Sequence, residues 1–451
     1  MKIAPFLRRK IVEPVWAALR HSPLLKYWGA LEETQYYSEE NLKEIQWIKI
    51  KNLLQFVYDQ NPYYNKLFRA MDLHPQHILS LSDLKKLPIL TKKALRTAGD
   101  QLISTGFSKA NLLHAKTGGS TGKSVHLYFT EDCSEQRNAC ARRHDRWSGW
   151  EVGEPKGYVW GNPPSQGTLK DTIKCVLFGT IIFLDTMEVT EKAVQEFALR
   201  WRRSKPTLLF GHAHSLYLLA NLVREYHIED IAPRAIISSS MMLHPHERRR
   251  IEDVFRTKVF DRYGCEEVGL IASECEMHEG MHLNIDNLFI EFLKEDGSDC
   301  EPGQPGRIIV TDLINTAMPL IRYQVEDVGV PSARKCSCGR GLPLIQQVMG
   351  RTADFLIKKD GTRVAGISII ENTLTKIPGI GQMQIIQNSL EEIQVKVTPD
   401  ENYNPETSRI LIHYLKELFQ GPKNVEIELV EEIKSESNGK FRFSICRVDE
   451  D

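Results

Sequence analysis

Between Thr207 and Gly264 short apolar runs alternate with helix-like stretches, and this alternation restricts the possible folds more than any other feature of the chain. TLLFG (Thr207 to Gly211), AIISSS (Ala235 to Ser240) and KVFDRYG (Lys258 to Gly264) each end in small or turn residues, and stretches such as HERRRIEDVF lie between them. Runs apolar on both faces suit strands covered by helices on either side, so an α/β domain with its functional loops at strand ends is expected. In FIEFLKEDGSDCEPGQPGRIIVTDL two β-rich runs flank a Gly/Pro/Asp cluster, which predicts a hairpin and an antiparallel section. Upstream, Leu42, Ile45, Ile48, Leu53, Leu54 and Val57 recur at three- and four-residue spacing, which predicts a helix before Asn61-Pro62.

The length of 451 residues exceeds what one core usually serves, and at roughly 150 residues per domain it implies two or three domains. After Gly350 the pattern changes to strand-like MQIIQ and IQVKV, a helical stretch from about Pro405 to Phe419, and NVEIELVEEI. This reads as a compact α+β unit. We place the boundary at Gly350-Arg351, giving residues 1–350 and 351–451. Lys+Arg 58 nearly balances Asp+Glu 59, so no global field draws nucleic acid or an anionic membrane, and nucleic acid is not expected as a partner.

The 9 cysteines are scattered and odd in number, which fits a reducing compartment and a cytoplasmic location rather than a disulfide scaffold. Arg8, Arg9, Lys10 and Glu13 interrupt what would be the apolar stretch of a signal peptide. The best apolar window, CVLFGTIIFL from Cys175 to Leu184, is about half the length needed to cross a bilayer and reads as a buried strand or short helix. Arg8 to Lys10 with Trp16, Leu19 and Leu24 have the ingredients of a membrane-surface helix. A helix packed on the domain is the expectation, and membrane association is not.

TGGSTGKS, Thr117 to Ser124, is the densest chemical signal. Its glycines let the backbone approach an anion, and its hydroxyls and amides can donate to phosphate oxygens. The Walker A pattern needs a glycine where Thr117 stands, and LLHAK and VHLYFT on either side make the loop a hairpin-like connection rather than a strand-to-helix turn. A kinase or ATPase reading therefore loses its main support.

TGGSTGKSV resembles the phosphate loop of the adenylate-forming superfamily, particularly its phenylacetate-CoA ligase and capsular-polysaccharide-biosynthesis branch, and further motifs follow in order. GHAHSLYLLA resembles the segment beside the acyl pocket, and SSSMMLHPHERRRIEDVF the one running into the adenine site. YGCEE, PLIRYQVED, GRTADFLIKKDG and NGKFR resemble, in turn, the Tyr-Gly-x-Thr-Glu motif, the ribose segment, the start of the mobile C-terminal domain and the catalytic lysine loop. The resemblance implies a large N-terminal adenylate-forming domain of several subdomains and a small mobile α+β lid.

It also implies residue roles. Thr117, Gly118, Gly119, Ser120, Thr121, Gly122 and Lys123 would hold phosphates, with Ser240, Tyr263, Gly264, Asp327 and Arg351 completing the nucleotide site. Tyr263 would stack on adenine, Asp327 would hold the ribose hydroxyls, and Glu267 would coordinate magnesium. Lys440 would be the catalytic lysine, and Gly211, His212 and Ser215 would border the acid. From position alone Lys440 is an ordinary surface lysine. His212 and His214, read as alternating strand residues, would face opposite sides. The sequence departs from the family pattern at Glu266 (usually Thr), at Met241-Met242 (often Glu in relatives), at Glu326 (usually Gly) and at Ala353.

Cys275 and His282 flank a loop, and Cys336-Ser337-Cys338-Gly339 follows later. Closely spaced thiolates with a fourth N or S ligand suit a structural, tetrahedral zinc ion within about residues 275–338. The resemblance selects His282 over His278.

The function so implied is ATP- and Mg²⁺-dependent activation of a small carboxylic acid, with transfer to coenzyme A, a carrier-protein thiol or another acceptor; a homodimer is left open. Two alternatives stand beside it: an ATP-dependent phosphotransferase, and a catalytically degenerate ligase-fold scaffold of a surface-polysaccharide pathway.

Overall fold

The computed structural model describes residues 4–116, 125–161, 175–349, 355–431, 433 and 442–448. A helical N-terminal region precedes the first strands. Its longest helix, Glu39–Gln60, is capped by Ser38, whose hydroxyl accepts from Asn41 N, and it ends at Asn61 before a new helix starts at Pro62. This is the termination expected from Asn61-Pro62, because the residue before a proline is driven out of the helical region. Leu42, Leu53, Leu54 and Val57 are buried as the periodicity requires, whereas Ile48 is exposed.

Strands β1 (Leu113–Lys116) and β2 (His126–Phe129) pair antiparallel on either side of the glycine-rich segment, which itself lies outside the described residues. Next come β3 (Lys156–Trp160), β4 (Ile181–Asp185), β5 (Leu208–His212), β6 (Ala235–Ser239) and β7 (Val259–Cys265). The chain then forms β8 (Gly269–Glu274), β9 (Met281–Leu283), β10 (Leu288–Leu293), β11 (Gly306–Asp312), β12 (Tyr323–Pro331) and β13 (Leu344–Met349). Strands β3 to β13 make one eleven-stranded sheet in the order β10-β11-β12-β13-β9-β8-β7-β6-β5-β3-β4.

The pairs among β3 to β7 are parallel, and from β7 to β10 every neighbour is antiparallel. In the parallel half β6 is buried along its whole length and β5 at four of its five positions, as their apolar runs predict, whereas β3 and the edge strand β4 alternate buried with partly exposed residues. β10 and β11 form the predicted hairpin. The window at Cys175 divides into a helical turn and β4. The sheet is thus the mixed α/β architecture anticipated, and it changes from parallel to antiparallel at β7.

Beyond Gly350 the elements are β14 (Phe355–Ile357) and β15 (Arg363–Ala365), the helix Gly366–Lys376, β16 (Ile380–Ser389), β17 (Glu392–Pro399), the helix Pro405–Leu418, β18 (Asn424–Leu429) and β19 (Ser444–Cys446). A four-stranded sheet, β18-β17-β16-β19, carries both helices. Its core includes Ile369, Leu374, Ile385, Val395, Leu411 and Leu415 and extends onto Ala213 and Met241 of the larger sheet's layer. The boundary expected at Gly350-Arg351 lies outside the described residues. Met241, which departs from the family's Glu, is therefore an apolar contact to the C-terminal unit.

Candidate active site

The carboxyl ends of the parallel strands open into a cavity of about 1300 Å³ where the sheet changes direction. Open α/β sheets bind ligands at such crevices, because the loops leaving the strand ends diverge there. Trp160 from β3, Phe210 from β5, Ser239 at the end of β6 and Ser240 after it, and the end of β7 contribute to the wall, while Ile370, Leu374 and Phe443 close it from the C-terminal unit. Lys116, the last residue of β1, also lines it and donates from Nζ to the Leu374 carbonyl at 3.0 Å.

Five of the predicted residues, Ser240, Tyr263, Gly264, Glu267 and Asp327, border this cavity. The Tyr263 hydroxyl donates to Asp327 Oδ2 at 2.9 Å, so the expected adenine and ribose contacts come from adjoining side chains. Glu267 Oε1 accepts from the Tyr323 hydroxyl at 2.9 Å and faces Lys92 Nζ at 4.0 Å. Lys92 in turn pairs with Glu326 at 2.7 Å. Burial, and then the Glu267 charge, drive the Tyr323 hydroxyl far above its ordinary pKa, so it stays protonated as a donor. Arg137 pins the loop that carries Glu267: its guanidinium donates to the carbonyls of Glu266 and Glu267 at 3.3 and 2.8 Å and to Asp312 Oδ2 at 3.0 Å.

Gly264 is set by packing. A Cβ there would sit 2.6 Å from the Gly269 carbonyl oxygen and 3.0 Å from Leu270 Cα, so only glycine lets β7 and β8 approach this closely. Glu326 adopts φ +67°, a left-handed conformation in which the family's usual glycine is at ease. This departure keeps a glycine-like backbone, and its carboxylate is engaged by Lys92. Asp261, on the cavity wall, is pushed up to about 7 by burial first and the Glu274 carboxylate second, against the opposing Arg248 charge.

The residues assigned to the acid lie behind the wall rather than on it. His212 is wholly buried, with its ring centroid 3.6 Å from that of Trp160, and burial holds it down at about 3. Ser215 Oγ lies 3.5 Å from His212 Nδ1, and Gly211 allows β3 and the Ala213–Glu225 helix to close on each other, since a Cβ would meet Val159 O at 2.9 Å. The expectation that His212 and His214 share a strand is corrected. β5 ends at His212, and His214 is in the following helix, where its Nδ1 pairs with Glu247.

Cys275, His282, Cys336 and Cys338 converge, with their donor atoms within 4.8 Å of one another. Cys275 Sγ lies 3.5 Å from Cys336 Sγ, and Cys338 Sγ lies 3.4 Å from His282 Nε2. Tetrahedral zinc with bonds of about 2.3 Å to sulfur and about 2.0–2.1 Å to nitrogen would place such donors about 3.8 and 3.6 Å apart, so these two pairs need only open by a few tenths of an ångström to hold that ion. His282 Nδ1 lies 3.0 Å from the Leu342 carbonyl, which orients Nε2 toward the thiols, and burial lowers the imidazole to about 4, neutral as a ligand must be. His278 instead faces Glu274 at 3.3 Å. The cluster lies on β9 and in the loops after β8 and before β13, and it is closed by protein on its inner side, as a structural site would be.

Thr117, Gly118, Gly119, Ser120, Thr121, Gly122, Lys123, Arg351 and Lys440 lie outside the described residues. Sequence reasoning missed Lys92, Tyr323 and Arg137. Tyr323 lies within PLIRYQVED, but nothing in the motif marks it, and Lys92 and Arg137 become visible only when distant segments pack.

The eleven-stranded mixed sheet with this cavity and the small four-stranded α+β unit share their fold with a 2-hydroxyisobutyryl-CoA ligase in complex with R3-HIB-AMP in the postadenylation state, which superposes with a TM-score of 0.61 over 92% of this chain and 91% of that one, at 16% identity. In sequence the chain aligns with proteins of the branch that its motifs resemble. A phenylacetate-coenzyme A ligase of Thermus thermophilus is 23% identical over 392 residues, covering 82% of this chain and 84% of the relative. Protein CapK of Staphylococcus aureus is 22% identical over 429 residues, covering 92% and 93%. Residues 356–447 match the CapK C-terminal domain family. No described helix is long and apolar enough to cross a membrane.

Proposed function

We propose that this protein activates a carboxylic acid with ATP and passes the acyl group to a thiol, coenzyme A or a carrier protein. A carboxylate oxygen attacks the α-phosphorus, the bond to the β-phosphate breaks, and pyrophosphate leaves. The thiolate sulfur then attacks the acyl carbon, AMP departs, and the thiol proton goes to solvent. Both partners of the first step are anions, so the protein's task is mainly alignment and charge neutralisation. Tyr263 stacks on adenine and Asp327 accepts from the ribose hydroxyls. Thr117 to Lys123 hold the β- and γ-phosphates, and Lys440 bridges the carboxylate and α-phosphate. Glu267 offers oxygen to Mg²⁺, which prefers such ligands and screens the phosphates when bound. Arg351 acts at the hinge side, and Gly211, His212 and Ser215 shape the acid pocket from behind Trp160. Zinc held by Cys275, His282, Cys336 and Cys338 has a structural role.

The observation that carries this reading is the convergence of Tyr263 and Glu267 from one motif and Asp327 from another, distant in sequence, on one cavity at the strand ends. The scaffold alternative rests on the departures from the family pattern. Glu326 argues against it, because the residue keeps the backbone that a glycine would take and pairs with a buried lysine.

The test is release from ATP across a panel of carboxylic acids. Acid-dependent pyrophosphate and AMP support the ligase, ADP would identify a phosphotransferase, and no nucleotide product with any acid would identify a scaffold. Lys440→Ala is expected to lower pyrophosphate release roughly 10²–10³-fold while ATP still binds.

A further inference from the structure

The N-terminal helix has two faces of opposite character. Pro5–Leu7, a π-helical turn Arg8–Val12, and Glu13–Leu19 run end to end. The inner face is fastened to the body by polar contacts. Arg8 donates to the carbonyls of Gly153 and Val176 at 2.7 and 3.1 Å, Arg9 pairs with Glu151, and Glu13 accepts from Arg142 at 2.9 Å. Trp16 rests edge-on against Phe178. This is the helix packed on the domain that the sequence predicts.

The outer face is apolar and uncovered. Phe6, Leu7, Ile11, Val15 and Leu19 are between 43% and 73% exposed. Leu7, Ile11, Val15 and Leu19 recur every four residues, a spacing that drifts around a 3.6-residue helix; the wider π turn offsets the drift and keeps the side chains in one stripe. A soluble surface does not leave such a stripe without a partner.

Charge selects the occupant. The helix's one acid, Glu13, is turned inward onto Arg142, whereas Lys10 and Arg20 at the stripe's edges are exposed. Lys10 has no ion-pair partner among the described residues, and Arg20 lies over the Trp16 ring with Glu131 3.8 Å away. A second copy meeting this face across a two-fold axis would bring the same cations, and the exposed acid beside them, Glu131, already faces Arg20. An anionic lipid surface offers acyl chains to the stripe and headgroup phosphates to the cations, the arrangement of an in-plane interfacial helix.

We propose that this helix docks the protein on anionic membrane surfaces, contrary to the expectation from the balanced overall charge. The full-length protein is expected to sediment with vesicles of phosphatidylglycerol and phosphatidylcholine and far less with phosphatidylcholine alone. Ile11→Glu/Leu19→Glu is expected to lower the partition coefficient at least about tenfold, and Lys10→Glu/Arg20→Glu to abolish the preference for anionic vesicles. Both pairs are exposed, so unchanged melting temperatures show that the fold is retained. Failure to sediment, or sedimentation equal in the apolar variant, overturns the proposal. A dimer in solution that the apolar variant converts to monomer, without vesicle binding, would assign the face to a second copy instead.

Discussion

Replacing Lys92 with methionine keeps the side chain's length and removes the charge between Glu267 and Glu326. The ammonium lies 2.7 Å from Glu326 and 4.0 Å from Glu267. At an effective dielectric constant near 20, such separations correspond to roughly 6 and 4 kcal/mol of attraction, most of it offset by the desolvation of all three groups. Removing one partner of a buried pair nevertheless costs about 3–5 kcal/mol, because the charges left behind keep their desolvation penalty. With an unfolding entropy of about 2.1 cal/mol/K per residue over roughly 350 residues, this lowers the melting temperature by about 4–7 °C. Calorimetry of Lys92→Met against wild type reads the loss, and Lys92→Met/Glu326→Gln, which removes one of the two stranded carboxylates, is expected to regain roughly half of it. A single variant melting within about 1 °C of wild type, or a double variant less stable than the single, would refute the reasoning.

Asp261 has a pKa raised from 3.8 to about 7, so the native state holds its proton more tightly than the unfolded chain, and stability falls as pH rises between those values. Asp261→Asn is therefore expected to be more stable than wild type by about 2–4 kcal/mol at pH 8 and equal to it at pH 4, and a difference independent of pH would contradict the assignment. Elemental analysis of reduced, purified protein is expected to give close to one zinc per chain, lost in Cys338→Ser together with part of its thermal stability; a metal-free wild type with all four donors intact would rule the site out. In Gly264→Ala the new methyl meets the Gly269 carbonyl, so β7 and β8 must separate next to Tyr263. Calorimetric titration is expected to show roughly tenfold weaker binding of a non-hydrolysable ATP analogue, and unchanged affinity would count against Tyr263 as the adenine contact.

The α/β class was legible because Ala235 to Ser239 is apolar at every position or small, a pattern that only a strand covered on both faces satisfies. The zinc-type cluster was legible from Cys336-Ser337-Cys338 and the two donors upstream, since few other arrangements bring three thiols and an imidazole together. His214 was misread because two residues of alternation do not distinguish the last residue of a strand from the first turn of a helix. Lys92 was invisible for a different reason. It lies in a short lysine-rich helix, Lys92–Ala98, where sequence predicts solvent exposure, and its burial depends on carboxylates more than 170 positions away. The unpartnered stripe of the N-terminal helix was likewise concealed, because an apolar helix reads the same whether its face is covered or bare.

The central claim is that Tyr263, Glu267 and Asp327 surround a nucleotide, and the most direct measurement is a crystal structure with Mg²⁺ and a non-hydrolysable ATP analogue. The account predicts adenine against the Tyr263 ring, ribose hydroxyls on Asp327, the metal on Glu267 and the terminal phosphates at Thr117 to Lys123. A nucleotide bound elsewhere, or a cavity that stays empty at saturating analogue, would contradict it.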